Sequence, residues 1–82
     1  MEIVKTHIDG VQLIKPKVWG DPRGFFVETW QKDRYEAAGI ARPFVQDNHS
    51  KSSFGILRGL HFQKKHPQGK LVSVSLGRVF DV

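Results

Sequence analysis

Short segments rich in β-branched and aromatic residues recur along this chain, each ended by a turn signal: "EIVKTH", "VQLIKP", "FFVETW", "PFVQDNH", "GILRGLHFQ", "KLVSVSL" and "RVFDV". Spacing of this kind leaves little room for long helices and predicts an all-β sandwich or barrel. Asp21, Pro22 and Gly24 suit a type I turn, in which Pro presets φ at the second position and Gly closes the reversal. The chain is therefore expected to fold back just before Phe25. One short peripheral helix is expected at about Gln31 to Ala38, where Tyr35, Ala37 and Ala38 precede a Gly39 stop.

The chain has 82 residues, which allows at most one domain, 1–82, and a chain of this size buries only about 60 to 65% of its unfolded surface. It has no Cys, so neither a disulfide framework nor a thiolate metal site can staple the fold, and a reducing compartment is favoured. The start "MEIVKTHIDG" lacks the basic and apolar stretches of a secretory signal, and no run approaches the ~20 apolar residues of a membrane span. A soluble, cytoplasmic chain with no membrane partner is expected. The closing "GRVFDV" reads as a strand without a covering element, an edge that stable domains protect, and this suggests a fragment.

Formal net charge is +5. Residues 1–41 hold six basic and six acidic groups, whereas residues 42–82 hold seven basic and two acidic ones. The excess lies wholly in the second half. A patch of this sign fits an anionic partner or a solvated surface. It carries no interleaved aromatic platform for stacking bases, so nucleic acid is not the expected partner.

Three stretches could carry chemistry. In "PFVQDNHS", strand alternation places Phe44, Gln46 and Asn48 on one face and Val45 and Asp47 on the other. Those two carboxamides either face water or, in an interior, need a polar ligand, because an unsatisfied buried amide costs about 1 to 3 kcal/mol. Asn48-His49-Ser50 also fits the glycosylation triplet, which has no use without secretion. In "GILRGLHFQ", strict alternation separates Arg58 from His61. A bulge at Gly59 would bring both to one side, and Gly within a strand often marks such a bulge. His61 then reads either as a hydrogen-bonded structural histidine or as a base. In "HPQGKLV", Gly69-Lys70 fails as a phosphate loop, since Lys64 stands where the first Gly belongs and an apolar strand follows. Lys70 either reaches solvent from a strand end or offers a charge to a developing oxyanion. Among His7, His49, His61 and His66 no pair has HxH spacing, so a transition-metal site is not expected.

The elements "GDPRGFFVETW", "FVQDNHSKSSFGILRGLHFQ" and "QGKLVSVSLGRVFDV", in this order and spacing, resemble the N-terminal half of the dTDP-4-dehydrorhamnose 3,5-epimerase family. The likeness runs over about residues 8–82. It implies a cupin-like jelly roll, here the incomplete N-terminal portion, in a homodimer that exchanges N-terminal strands. It also implies catalysis without metal or cofactor on a dTDP-4-keto-6-deoxyhexose, inverted at the carbons flanking the ketone, in dTDP-L-rhamnose synthesis. On this resemblance His61 corresponds to the proton-abstracting base and Lys70 to the cation beside the 4-keto oxygen. Arg23, Glu28, Gln46, Asp47, Asn48 and Arg58 correspond to nucleotide-sugar contacts, with Arg23 serving the partner subunit's site. Imidazole suits the task because its ordinary titration lies near neutral pH. In the family a Tyr protonates the opposite face and an Asp or Glu pairs with the base, both in the C-terminal half. The chain's only tyrosine, Tyr35, matches neither, so the 82 residues alone are expected to lack epimerase activity. A single-carbon epimerase and a non-catalytic nucleotide-sugar binding or dimerisation module are the rival expectations.

Overall fold

Two antiparallel hairpins carry the first half of the chain. The computed structural model describes residues 1–82, which divide into two units, Met1–Asn48 and His49–Val82. In the first unit, β1 (Glu2–Lys5) pairs with β2 (Gln12–Lys15), placing Ile3 opposite Ile14 and Val4 opposite Leu13. β1 stops at Lys5 because Thr6 turns the chain. Its hydroxyl accepts the Ile8 N–H at 3.2 Å and donates to the Val11 carbonyl at 2.8 Å, a local bond that competes with the ladder.

The second hairpin joins β3 (Val18–Asp21) to β4 (Gly24–Val27) through Pro22-Arg23, with Asp21 opposite Gly24. No residue other than Gly has positive φ, which at Arg23 excludes types II and I′ and agrees with the expected type I turn. β3 itself is absent from the sequence reading. Only Val18 and Trp19 favour a strand there, and Gly20 and Asp21 are depleted in strands. The turn makes the difference, since it lays Trp19 opposite Phe26 and Val18 opposite Val27. Alternation then puts Trp19 and Phe26 on one face and Phe25 and Val27 on the other. Both faces are apolar, and Trp19, Phe25 and Phe26 remain 59%, 75% and 70% exposed.

Helix α1 spans Lys32–Ala37, within the range expected. Gln31 caps its start, its Oε1 accepting the Arg34 N–H at 2.7 Å, and Asp33 sits favourably in the first turn. Its end is a Schellman motif: the Ile40 N–H donates to the Tyr35 carbonyl (2.9 Å) and the Gly39 N–H to the Glu36 carbonyl (3.0 Å). Gly39 at φ +95° supplies the left-handed residue that this closure requires.

Tyr35 is the one buried hydrophobic residue, 3% exposed. Its ring lies 4.6 Å from that of Trp30, which meets Phe44 edge-on at 5.1 Å, and its hydroxyl donates to the Thr29 carbonyl at 2.7 Å. Tyr35→Phe is expected to cost about 1 kcal/mol through the lost hydrogen bond, and Tyr35→Ala about 3 kcal/mol through the lost ring. Urea midpoints followed by tryptophan fluorescence check both. Equal midpoints for Tyr35→Ala and the parent would deny the ring any central role.

The class is all-β with one short helix, but the strands expected in "PFVQDNH", "GILRGLHFQ", "KLVSVSL" and "RVFDV" are not formed. The second unit contains a turn at Ser53–Ile56, with the Ile56 N–H donating to the Ser53 carbonyl at 3.4 Å, and no strand or helix. The reason is physical. A strand exists only against a partner, and none of these segments pairs with another among the 82 residues. Their apolar side chains, Leu57, Leu60, Phe62, Leu76 and Phe80 included, are exposed. With no ladder there is no bulge at Gly59 either, although Gly59 at φ +127° does break extended regularity where the sequence suggested. No helix is long and apolar enough to cross a membrane.

Candidate functional site

Arg23 stands on the β3–β4 turn, where the chemistry of "DPRG" holds it. Asp21 Oδ1 accepts the Arg23 backbone N–H at 2.8 Å, closing an Asx turn. The same carboxylate takes the guanidinium side-on: Nη2 donates to Oδ2 at 2.6 Å, and Nε lies 3.3 Å from both oxygens. These hydrogen bonds to Arg23 hold the Asp21 carboxyl below its ordinary range and raise the guanidinium. The pair is exposed, so its worth lies in geometry rather than in stability.

Glu28 follows β4 and meets Arg34 of α1. Its Oε2 accepts from Arg34 Nη2 at 3.1 Å and from Nε at 3.3 Å. Its Oε1 is buried without a hydrogen-bond partner. Glu28 also lines a cavity of about 250 Å³ with Met1, Pro16, Lys17, Trp19, Arg34 and Tyr35. Lys17 Nζ sits 3.9 Å above the Trp19 ring, a cation–π contact at its wall. An acceptor in such a place suits a ligand that brings N–H or O–H groups.

Gln46 and Asn48 lie on one side of their segment, Gln46 Nε2 donating to Asn48 Oδ1 at 3.1 Å. Asp47 between them is exposed. In the second unit, Arg58 Nη2 donates to the Lys51 carbonyl at 3.0 Å. Gln63 and Gln68 are joined twice, Gln63 Nε2 donating to Gln68 Oε1 (3.0 Å) and the Gln68 N–H to Gln63 Oε1 (2.9 Å). His61 and Lys70 are both exposed. Within each unit the structure therefore tethers individual site residues to neighbours in sequence rather than gathering them into one pocket. The partners of Arg23 and Glu28, Asp21 and Arg34, are not among the expected site residues. Asp21 was legible as an Asx-turn residue two before Arg23, whereas nothing in the spacing of Glu28 and Arg34 announces their contact.

The family pattern of dTDP-4-dehydrorhamnose 3,5-epimerase matches residues 5–82, so it covers all of these side chains except Met1. The chain belongs to that family. A dTDP-4-dehydrorhamnose 3,5-epimerase of Shigella flexneri is 55% identical over 84 aligned positions, covering 100% of this chain and 46% of the relative. Its counterpart from Methanothermobacter thermautotrophicus is 51% identical over 79 positions, covering 96% of this chain and 43% of the relative. A dTDP-4-dehydrorhamnose 3-epimerase of Streptomyces niveus is 44% identical over 85 positions, covering 100% of this chain and 41% of the relative. The chain thus spans less than half the length of these relatives. No solved structure matches it.

Proposed function

We propose that residues 1–82 are the N-terminal part of a cytoplasmic, cofactor-independent epimerase acting on dTDP-4-dehydro-6-deoxy-D-glucose at C3 and C5. The family match over residues 5–82 carries this reading, because it spans His61 and Lys70 together with Arg23, Glu28, Gln46, Asp47, Asn48 and Arg58. Chemistry supports it. A proton α to the 4-ketone leaves to His61 while the C–H electron pair moves into the carbonyl, giving an enolate whose oxygen Lys70 faces. A proton returned to the opposite face of that carbon inverts it. The ketone is itself the electron sink, so the reaction is redox-neutral and calls for no cofactor.

The proton-returning group lies outside these 82 residues in this reading. Tyr35, the only tyrosine, is buried with its hydroxyl committed to the Thr29 carbonyl. The remaining length of the family protein then completes a cupin-like jelly roll and supplies partners for the segments between Phe44 and Val82. A homodimer exchanging N-terminal strands fits the β3–β4 hairpin, whose two apolar faces both call for cover.

A chimera in which residues 1–82 replace the matching segment of the Shigella flexneri relative tests the reading. In deuterated buffer it is expected to exchange the α protons of the keto sugar and release an epimerised product, while the 82-residue polypeptide releases none. A chimera that binds thymidine diphosphate yet exchanges no α proton would leave only a non-catalytic binding module. The Streptomyces niveus relative favours a second reading, epimerisation at one carbon. Both share the same base and nucleotide contacts, and deuterium at C3 alone would select it.

A further inference from the structure

The guanidinium of Arg23 has two edges, and Asp21 occupies only one of them. The carboxylate engages the Nε and Nη2 edge at 2.6 to 3.3 Å. That leaves the Nη1 and Nη2 end-on fork unused by Asp21, on a side chain that is 90% exposed. A guanidinium fork of this kind takes a carboxylate or phosphate through two parallel hydrogen bonds.

The turn reinforces the geometry. Asp21 also accepts the Arg23 backbone N–H at 2.8 Å, so one residue sets both the backbone and the side-chain direction of Arg23. Exposed aromatic rings of Trp19, Phe25 and Phe26 flank the turn, and with Asp21 and Arg23 they line an open recess of about 330 Å³. A long flexible cation at such a rim loses rotamer freedom when it binds an anion. A partner that already holds the side chain reduces that cost.

We propose that Asp21 is a positioning residue for the reaction: it clamps one edge of Arg23 and presents the other edge, preorganised, to the anionic part of the nucleotide sugar. This rests on the reading that Arg23 contacts that substrate, which the resemblance supplies. The carboxylate does not touch substrate. As an exposed carboxylate it is ionised at neutral pH, and the Arg23 hydrogen bonds favour that charged form.

The test is a double-mutant cycle in the chimera, with KM and kcat for the keto sugar and Kd for thymidine diphosphate. Asp21→Asn keeps an oxygen for the Asx turn and removes the ionic clamp. Freeing one long side chain is expected to raise KM and Kd about two- to tenfold with kcat unchanged. In an Arg23→Ala background the same change is expected to have no effect, and Asp21→Ser, which also retains the turn acceptor, is expected to behave as Asp21→Asn does. A merely structural role would act equally in both backgrounds. If Arg23→Ala alone leaves KM and Kd unchanged, the underlying reading of Arg23 fails. If Arg23→Ala weakens binding but Asp21→Asn does not, or tightens it, the positioning role is overturned.

Discussion

Chimeric protein carrying His61→Asn is expected to turn over the keto sugar about 10² to 10⁴ times more slowly than its parent, the range a positioned general base contributes. Asparagine preserves approximate size and one donor but cannot take a proton. Exchange of α protons with deuterated solvent should fall in parallel with turnover, since abstraction precedes any return of a proton. Binding of thymidine diphosphate should change by less than about twofold, because truncating a base that acts on the sugar leaves the nucleotide contacts in place. The comparison has a clear opposite. Retained exchange with lost affinity would make His61 a binding residue, and the base would have to be sought elsewhere in the protein.

Lys70→Met should be nearly as damaging. Removing a single preorganised group that stabilises a developing oxyanion costs about 10² to 10³ in kcat, and Met keeps the length of the stem without its charge. If Lys70 faces the enolate oxygen, the loss falls on kcat, because full charge develops there only as the proton leaves. If instead it contacts the diphosphate, KM rises and kcat stays, the signature of binding shared equally by ground and transition states. Steady-state kinetics on the one variant separate the two roles. Lys70→Arg sharpens the result: it keeps the charge but spreads it over a planar group, so partial recovery of kcat points to electrostatics rather than packing.

The sequence was most legible where structure depends on a few consecutive residues. "DPRG" announced its turn, and Gly39 announced the helix end that the Schellman bonds to Tyr35 and Glu36 then close. β1, β2 and β4 fell where their β-branched and aromatic residues placed them. β3 did not show, because "VWGD" owes its strand to the partner the turn lays beside it. The segments from Phe44 onward erred in the other direction, with strong strand composition and no ladder. Composition describes what a segment tolerates, and pairing depends on residues far away in sequence. An isolated pair of strands is marginal in water even when it forms.

The candidate site divides in the same way. That His61, Lys70 and Arg58 stand out was visible from order and spacing alone, and the family match over residues 5–82 spans all three. Local turns and caps were determined by the sequence itself, because each is written within about five residues and satisfied by the chain's own backbone. What only the tertiary structure decided is orientation: which edge of Arg23 Asp21 takes, that Arg34 meets Glu28, and that Tyr35 is the buried ring. Such contacts depend on side-chain direction and on elements brought together by folding. Residue type and spacing leave both open.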